Sequence, residues 1–349
     1  MLTARIMFFP VGDGDCTLIK LRNGRTIVVD CRLKREEQTV DLRGEIGALA
    51  ERDSCGRPFV DLFINTHPHK DHCRGFADLF FLGEPMLYDS RRDKGKIIIN
   101  ELWASPLALV YNRSRRTAPL RREVERRRNI YRQDPFYTGG YGNFLRLIGS
   151  NEDRRYCHLS GVTIQRVGER NLEWLEVGIM APNSQHLQKA LSDETIVNSA
   201  SMVLSFSFFK PVLVGKRPLL LRLIVAGDAE HDVWTDILAH DASIAASLSW
   251  DILLCPHHCS WSFFGDKASC PHSPSPSSLR LLSLHRSLKA YIVASTMFSP
   301  SSFPHPRRHA LRLYQSLLPN PSHFLLTSST PATPITFLLS SDATLIREE

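Results

Sequence analysis

The sequence predicts an α/β protein in which sheets are covered by helices, and three observations predict it. Apolar, partly β-branched runs recur along the chain, and helical patterns separate the later ones. Four of these runs end in side chains that can bind metal: Asp30, the cluster from His67 to His72, Asp228, and His257 or His258. Groups that far apart in sequence converge only if their strands lie side by side in packed sheets. At 349 residues the chain is long for a single hydrophobic core, so one large domain with an insertion, or two domains, is expected.

Ala4 to Phe9 reads as the first strand. Gly12-Asp13-Gly14-Asp15 is a turn that glycine permits, and Cys16 to Leu21 is the strand after it. Asn23-Gly24 is a hairpin signal that returns the chain through Thr26 to Asp30. A helix is expected around Glu37 to Arg52, then the strand Val60 to Ile64, then a short helix from Gly75 to Leu82. Beyond Glu84 the character changes: hydrophobic strands are sparse, and Arg, Asn and Ser are frequent. Residues 84–196 are read as an insertion or cap subdomain, and 1–83 with 197–349 as the principal domain.

Strands resume at Met202 to Phe209 and at Leu219 to Ala226, which runs into Gly227-Asp228. A helix from Glu230 to His240 and a strand from Asp251 to His258 follow. A Pro/Ser-rich loop covers 266–278. The chain then alternates a helix (Ser278 to Leu288), a strand (Ala290 to Ala294) and a helix (Arg307 to Leu318). It closes on strands at His323 to Leu326 and Ile335 to Leu339.

The densest chemistry is in Asn65-Thr66-His67-Pro68-His69-Lys70-Asp71-His72. Pro68 forbids regular helix, so the cluster sits on a loop at the carboxyl end of a strand. Alternate residues of an extended loop point the same way, so His67 and His69 can grip one ion. Asp71 and His72, past the bend, can reach a second. Imidazole with carboxylate suits zinc, and also manganese or iron.

Taken together, His67-x-His69-x-Asp71-His72, Gly227-Asp228 and Pro256-His257-His258 resemble the metallo-β-lactamase superfamily. The closer resemblance is to the ComEC-type hydrolase domains and their free-standing relatives. It rests on Val11 to Ile19, Asn198-Ser199-Ala200 and Ser301 to Pro306. The resemblance implies an αββα sandwich with a helical or irregular insertion and two divalent ions, zinc or manganese, at the sheet edge. His67 and His69 would hold the first ion. Asp71, His72 and His257 or His258 would hold the second, and Asp228 would bridge both. Asp30 and Asn198 would stand behind the ligands, and His305 would orient a phosphate or protonate a leaving oxygen. Many members carry a further His where this chain has Asn198-Ser199, which leaves the first ion two His and Asp228 and favours manganese. The implied reaction is metal-dependent hydrolysis of a phosphodiester by a water that the ions activate. His72 and Asp228 match phosphodiesterases and thioester hydrolases of the superfamily rather than its β-lactamases. Hydrolysis of a small phosphodiester or a thioester is a second reading, and a metal-stabilised binding or regulatory module without turnover is a third.

Nine Arg lie between Arg113 and Arg132, opposed by Glu123 and Glu125. With a net charge of +7, this run is expected to steer nucleic acid, through Arg121, Arg122, Arg126 and Arg127 above all. Tyr111 and Tyr131 flank it and can stack on bases. No apolar run is long enough to span a membrane, so no membrane partner is expected. The eight Cys show no C-x-x-C pair, which fits free thiols in a reducing, cytoplasmic compartment.

Overall fold

The computed structural model describes residues 1–33, 40–193, 196–212, 215–239, 247–266, 272–296, 306–330 and 333–348. It is an α/β protein with two large mixed sheets. The first has an antiparallel half and a parallel half. Its main path runs Leu345–Glu348, Ile335–Ser340, Leu2–Phe8, Thr17–Leu21, Thr26–Val29, Pro58–Ile64, Ile97–Ala104, Phe144–Ile148 and Cys157–His158. The second runs Val162–Ile164, Leu175–Ala181, Val203–Phe209, Leu219–Val225, Ile252–Leu254, Tyr291–Ala294 and Phe324–Leu326, parallel from Leu219–Val225 onward.

Side-chain alternation along the strands builds the layers. Ile27, Leu62 and Ile64 of the first sheet share one core cluster with Leu204, Phe206, Leu223 and Ile252 of the second. Their neighbours Val28 and Phe63 point the other way, into a cluster with Leu42, Ile46, Phe76, Leu120 and Val124. Those residues belong to the helices Leu42–Leu49, Phe76–Leu79 and Ala118–Gln133. Val203, Ile224 and Leu253 likewise pack on Trp234 and Leu281 of the helices His231–Ala239 and Pro276–Ser283.

Parallel pairing sets the direction of the strand ends. Val29 pairs with Ile64, so Asp30 and the His cluster leave the first sheet at one edge. Ile224 pairs with Leu253, which does the same for Asp228 and His257-His258 in the second.

Several elements differ from expectation. Residues 84–196 are not poor in strands. Ile97–Ala104 lies beside Pro58–Ile64 in the first sheet, and Leu175–Ala181 lies beside Val203–Phe209 in the second. The polar pair Asn100-Glu101 masks the apolar run, yet both are buried and bonded to Gly142, Trp103 and Gly168. The expected helix over 37–52 is Leu42–Leu49, with Glu37 outside the described residues, and the one over 75–82 stops at Leu79. Among the described residues no helix is long and apolar enough to cross a membrane, and the seven cysteines are free thiols.

Candidate metal centre

Asp228 is the hub. It follows the strand Leu219–Val225 through Gly227, whose φ of 49° belongs to the left-handed region. A Cβ at Gly227 would lie 2.5 Å from Thr66 Oγ1, so glycine lets the two sheet edges close on each other. A backbone bond joins them there, Met202 N–H donating to Thr66 O at 2.9 Å, and within the second sheet's edge His257 N–H donates to Gly227 O at 3.0 Å. Gly227→Ala is therefore expected to lower the melting temperature and the metal content together. The left-handed φ alone costs ~1–2 kcal/mol, and the clash adds to it. Wild-type stability and metal content in a thermal melt with elemental analysis would refute the crowding.

Around Asp228 stand two groups whose donor atoms all lie within 4.8 Å of one another: Asp71, His72, Asp228 and His258, and His67, His69 and Asp228. His72 Nε2 lies 3.0 Å and His258 Nε2 3.4 Å from Asp228 Oδ1. His67 Nε2 lies 3.5 Å from Asp228 Oδ2. His258 Nε2 is 3.8 Å from Asp71 Oδ2, and His67 Nε2 is 3.0 Å from His69 Nδ1. His67, His72, His258 and Asp228 are buried, whereas His69, Asp71 and His257 are half-buried and form the open side.

The donor set fits a cation. His72 Nε2 and Asp228 Oδ1 are buried, close together and without a hydrogen bond. Two ligands of a tetrahedral zinc at ~2.0–2.1 Å are themselves roughly 3.3 Å apart. The N···O and N···N separations in the cluster bracket that figure. Burial pushes His69 and His258 down to about 3, whereas at His72 burial is outweighed by Asp228 and Asp30, which hold its imidazole well above the usual range. Burial also opposes the charge on Asp228, but His257, His72, His258 and His67 outweigh it and hold the carboxyl well below the usual range. A buried His/Asp group able to hold a metal ion is thus present, built on Asp71, His72, Asp228 and His258.

Asp30 stands behind it. Its φ of 56° turns the carboxylate back under the cluster. It accepts from Thr66 N at 2.8 Å, Thr66 Oγ1 at 2.6 Å and His72 Nδ1 at 2.8 Å. A carboxylate can only accept, so it takes the Nδ1 proton and leaves His72 Nε2 facing Asp228.

The left-handed run His257, His258, Cys259 swings the two imidazoles apart. His258 enters the group with Asp71 and His72. His257 Nε2 lies 3.6 Å from Asp228 Oδ2, while its Nδ1 is held by Ser262 Oγ at 2.7 Å and faces Glu230 Oε1 at 3.3 Å. Asn198 lies in the 3-10 turn Val197–Ala200, not in a strand, and donates to Glu230 at 3.1 Å. His305 lies outside the described residues. His158 and His186 lie elsewhere, against Arg146 and Asp236.

The sequence reading passed over Asp15. It is buried, 3.9 Å from His72 Nδ1 and 3.6 Å from His258 Nδ1, and forms a third group with Asp30 and His72. Burial, reinforced by Asp30 and Asp228 against His72, drives its carboxyl up to about 8. The only signal was an acid placed directly before an apolar strand.

The arginines divide. Arg127 is buried, paired with Glu123 at 2.8 Å and bonded to the carbonyls of Ile99 and Phe144. Arg126 bonds Glu123, Glu84 and Asn143. Both guanidinium groups are committed to partners within the fold, Arg127 wholly buried and Arg126 half-buried. Arg121 is half-buried and Arg122 exposed, as are Arg115 and Arg116 in the preceding loop. Tyr131 is buried against Tyr137 and Tyr156, so it offers no stacking face. Tyr111 meets His69 edge-on, 5.4 Å between ring centroids.

No protein-family model and no curated protein matches the chain.

Proposed function

We propose that the chain is a metal-dependent hydrolase of phosphodiesters, with the αββα architecture of the metallo-β-lactamase superfamily and closest to its ComEC-like branch. One observation carries the reading: a single buried carboxylate, Asp228, is shared by two His/Asp groups at the joined edges of two sheets. The chemistry that two divalent ions would supply there is Lewis acidity, making water a nucleophile near neutral pH and taking up charge on the scissile group. The chain's own residues orient that centre. Asp30 fixes His72, Ser262 holds His257, and Tyr111 packs against His69 at the open side.

Nucleic acid is the substrate we propose first, because exposed Arg115, Arg116 and Arg122 lie on the segment that follows Tyr111. The commitment of Arg126 and Arg127 to internal partners favours a second reading, hydrolysis of a small phosphodiester. Elemental analysis with cleavage assays on bis-p-nitrophenyl phosphate, DNA and RNA tests the class, using the parent and a His69→Ala, Asp71→Ala variant. Metal uptake with turnover, both lost in the variant, is expected. Tight metal binding with no turnover of any of these substrates would leave a binding module instead.

Changing Arg115, Arg116, Arg121 and Arg122 to Gln separates the two substrates. Binding to long nucleic acid is expected to weaken without a change in base preference. Each lost contact should flatten the log affinity against log salt plot by ~0.9 for duplex or ~0.7 for single strands. Turnover of the small substrate should stay at the parent rate. An unchanged salt slope would mean that this face meets only solvent.

A further inference from the structure

A cleft of about 600 Å³ opens at the far end of the strand that carries the His cluster. Pro58 lines it, whereas Ile64 at the other end leads toward His67. The rise along that strand, ~3.3 Å per residue, puts the two places roughly 20 Å apart. The volume falls in the ~300–1,000 Å³ range of small-ligand sites.

Its lining is cationic: Arg43, Arg52, Arg57 and Lys94, against a single carboxylate among the described residues, Asp41. Asp41 is engaged as the N-cap of the helix Leu42–Leu49, accepting from Gly44 N at 3.1 Å. Arg57 is neutralised by Asp53 at 2.7 Å. Arg43 and Arg52 donate to carbonyls instead, of Asp78 and Gly56. Among the described residues no ion pair joins Arg43, Arg52 or Lys94 to a carboxylate. Like charges gathered around one concave space repel, and a polyanion seated among them relieves that repulsion. The floor is open, since a Cβ at Gly47 or Gly56 would meet nothing within 4 Å. Arginine's forked donors suit phosphate oxygens.

We propose that this cleft is a second ligand site, separate from the metal centre, that takes a small polyphosphate-bearing molecule of nucleotide size. Cys55 lines the cleft and its thiol is exposed, so the site carries its own reporter.

The test follows alkylation of Cys55 by iodoacetamide, read as the mass of its peptide, with ATP, pyrophosphate or an oligonucleotide as probe. ATP and pyrophosphate are expected to slow the reaction several-fold. Gly47→Glu should remove that protection, because it sets a carboxylate one helical turn from Arg43 while displacing no atom. It also replaces a helical glycine with a better helix former, so the fold should survive. Lys94→Gln should weaken protection, and neither variant should alter metal content or turnover of the chromogenic substrate. The proposal is overturned by an absence of protection, by protection that sodium sulfate matches at equal ionic strength, by protection that survives Gly47→Glu, or by protection from the oligonucleotide alone.

Discussion

Asp228→Ala is expected to abolish metal uptake and to bring hydrolysis of bis-p-nitrophenyl phosphate down to background. The carboxylate serves both candidate groups at once, with His72 and His258 on Oδ1 and His67 on Oδ2. Its removal leaves four imidazoles facing one another around a void, with the shared anion gone. Asp30→Asn touches one candidate ligand, His72, and otherwise disturbs only the bonds to Asn65 and Thr66. It loses one acceptor for the Nδ1 proton but keeps the volume, and changes of this indirect kind typically cost ~10–100-fold. Elemental analysis and rates on the two variants compare them directly. Equal, mild losses would make Asp228 no more than a lead-in to the helix His231–Ala239.

Glu123→Leu is expected to destabilise the fold by ~3–5 kcal/mol, the usual consequence of leaving a buried charge unpaired. Arg127 lies in the core with Glu123 as its counter-charge, each side chain about 2% exposed. Arg127→Met should cost less, because Glu123 keeps Arg126 at 2.6 Å. Chemical denaturation of the three proteins measures the ordering, and a larger loss for Arg127→Met would contradict it. The pair also sets an acid limit. Burial raises the Glu123 carboxyl, but Arg127 and Arg126 outweigh it and hold it below the ordinary range. A depressed native pKa contributes stability that is complete above the unfolded value, and that is lost as pH falls through it toward the native one. Glu123→Leu should therefore flatten the fall in stability on the acid side.

These two cases mark where the sequence was legible. Asp30, His67 to His72, Asp228 and His257-His258 stood out because each ends an apolar run, and burial of such runs in parallel strands forces their ends to one edge. Whether His257 or His258 joins Asp71 was not legible, since three successive left-handed residues decide it and no periodicity reports φ. Asp15 was hidden in a turn that reads equally well as a surface loop. Arg127 looked like Arg122 because composition counts charges and does not see carbonyls brought in from Ile99 and Phe144. The strand Ile97–Ala104 was obscured for the same reason: Asn100 and Glu101 are polar in sequence, and Gly142, Arg146 and Gly168, which bond them, are brought in only by the fold.

The donors of the centre come from both ends of the chain's folding history. Asp15 and Asp30 leave the ribosome first, the cluster from His67 to His72 soon after, and Asp228 with His258 only when most of the polypeptide has been made. Each group includes Asp228, apart from the one built on Asp15, Asp30 and His72. A nascent chain therefore cannot hold an ion in either Asp228 group until its second sheet has docked on its first. Loading of an ion in either group would thus be a checkpoint on completed assembly. An ion bound only by the finished state stabilises it by about 4.1 kcal/mol at a thousandfold excess over Kd. Chelation should then loosen the seam between the sheets as a whole, with amide exchange rising on the strands of both.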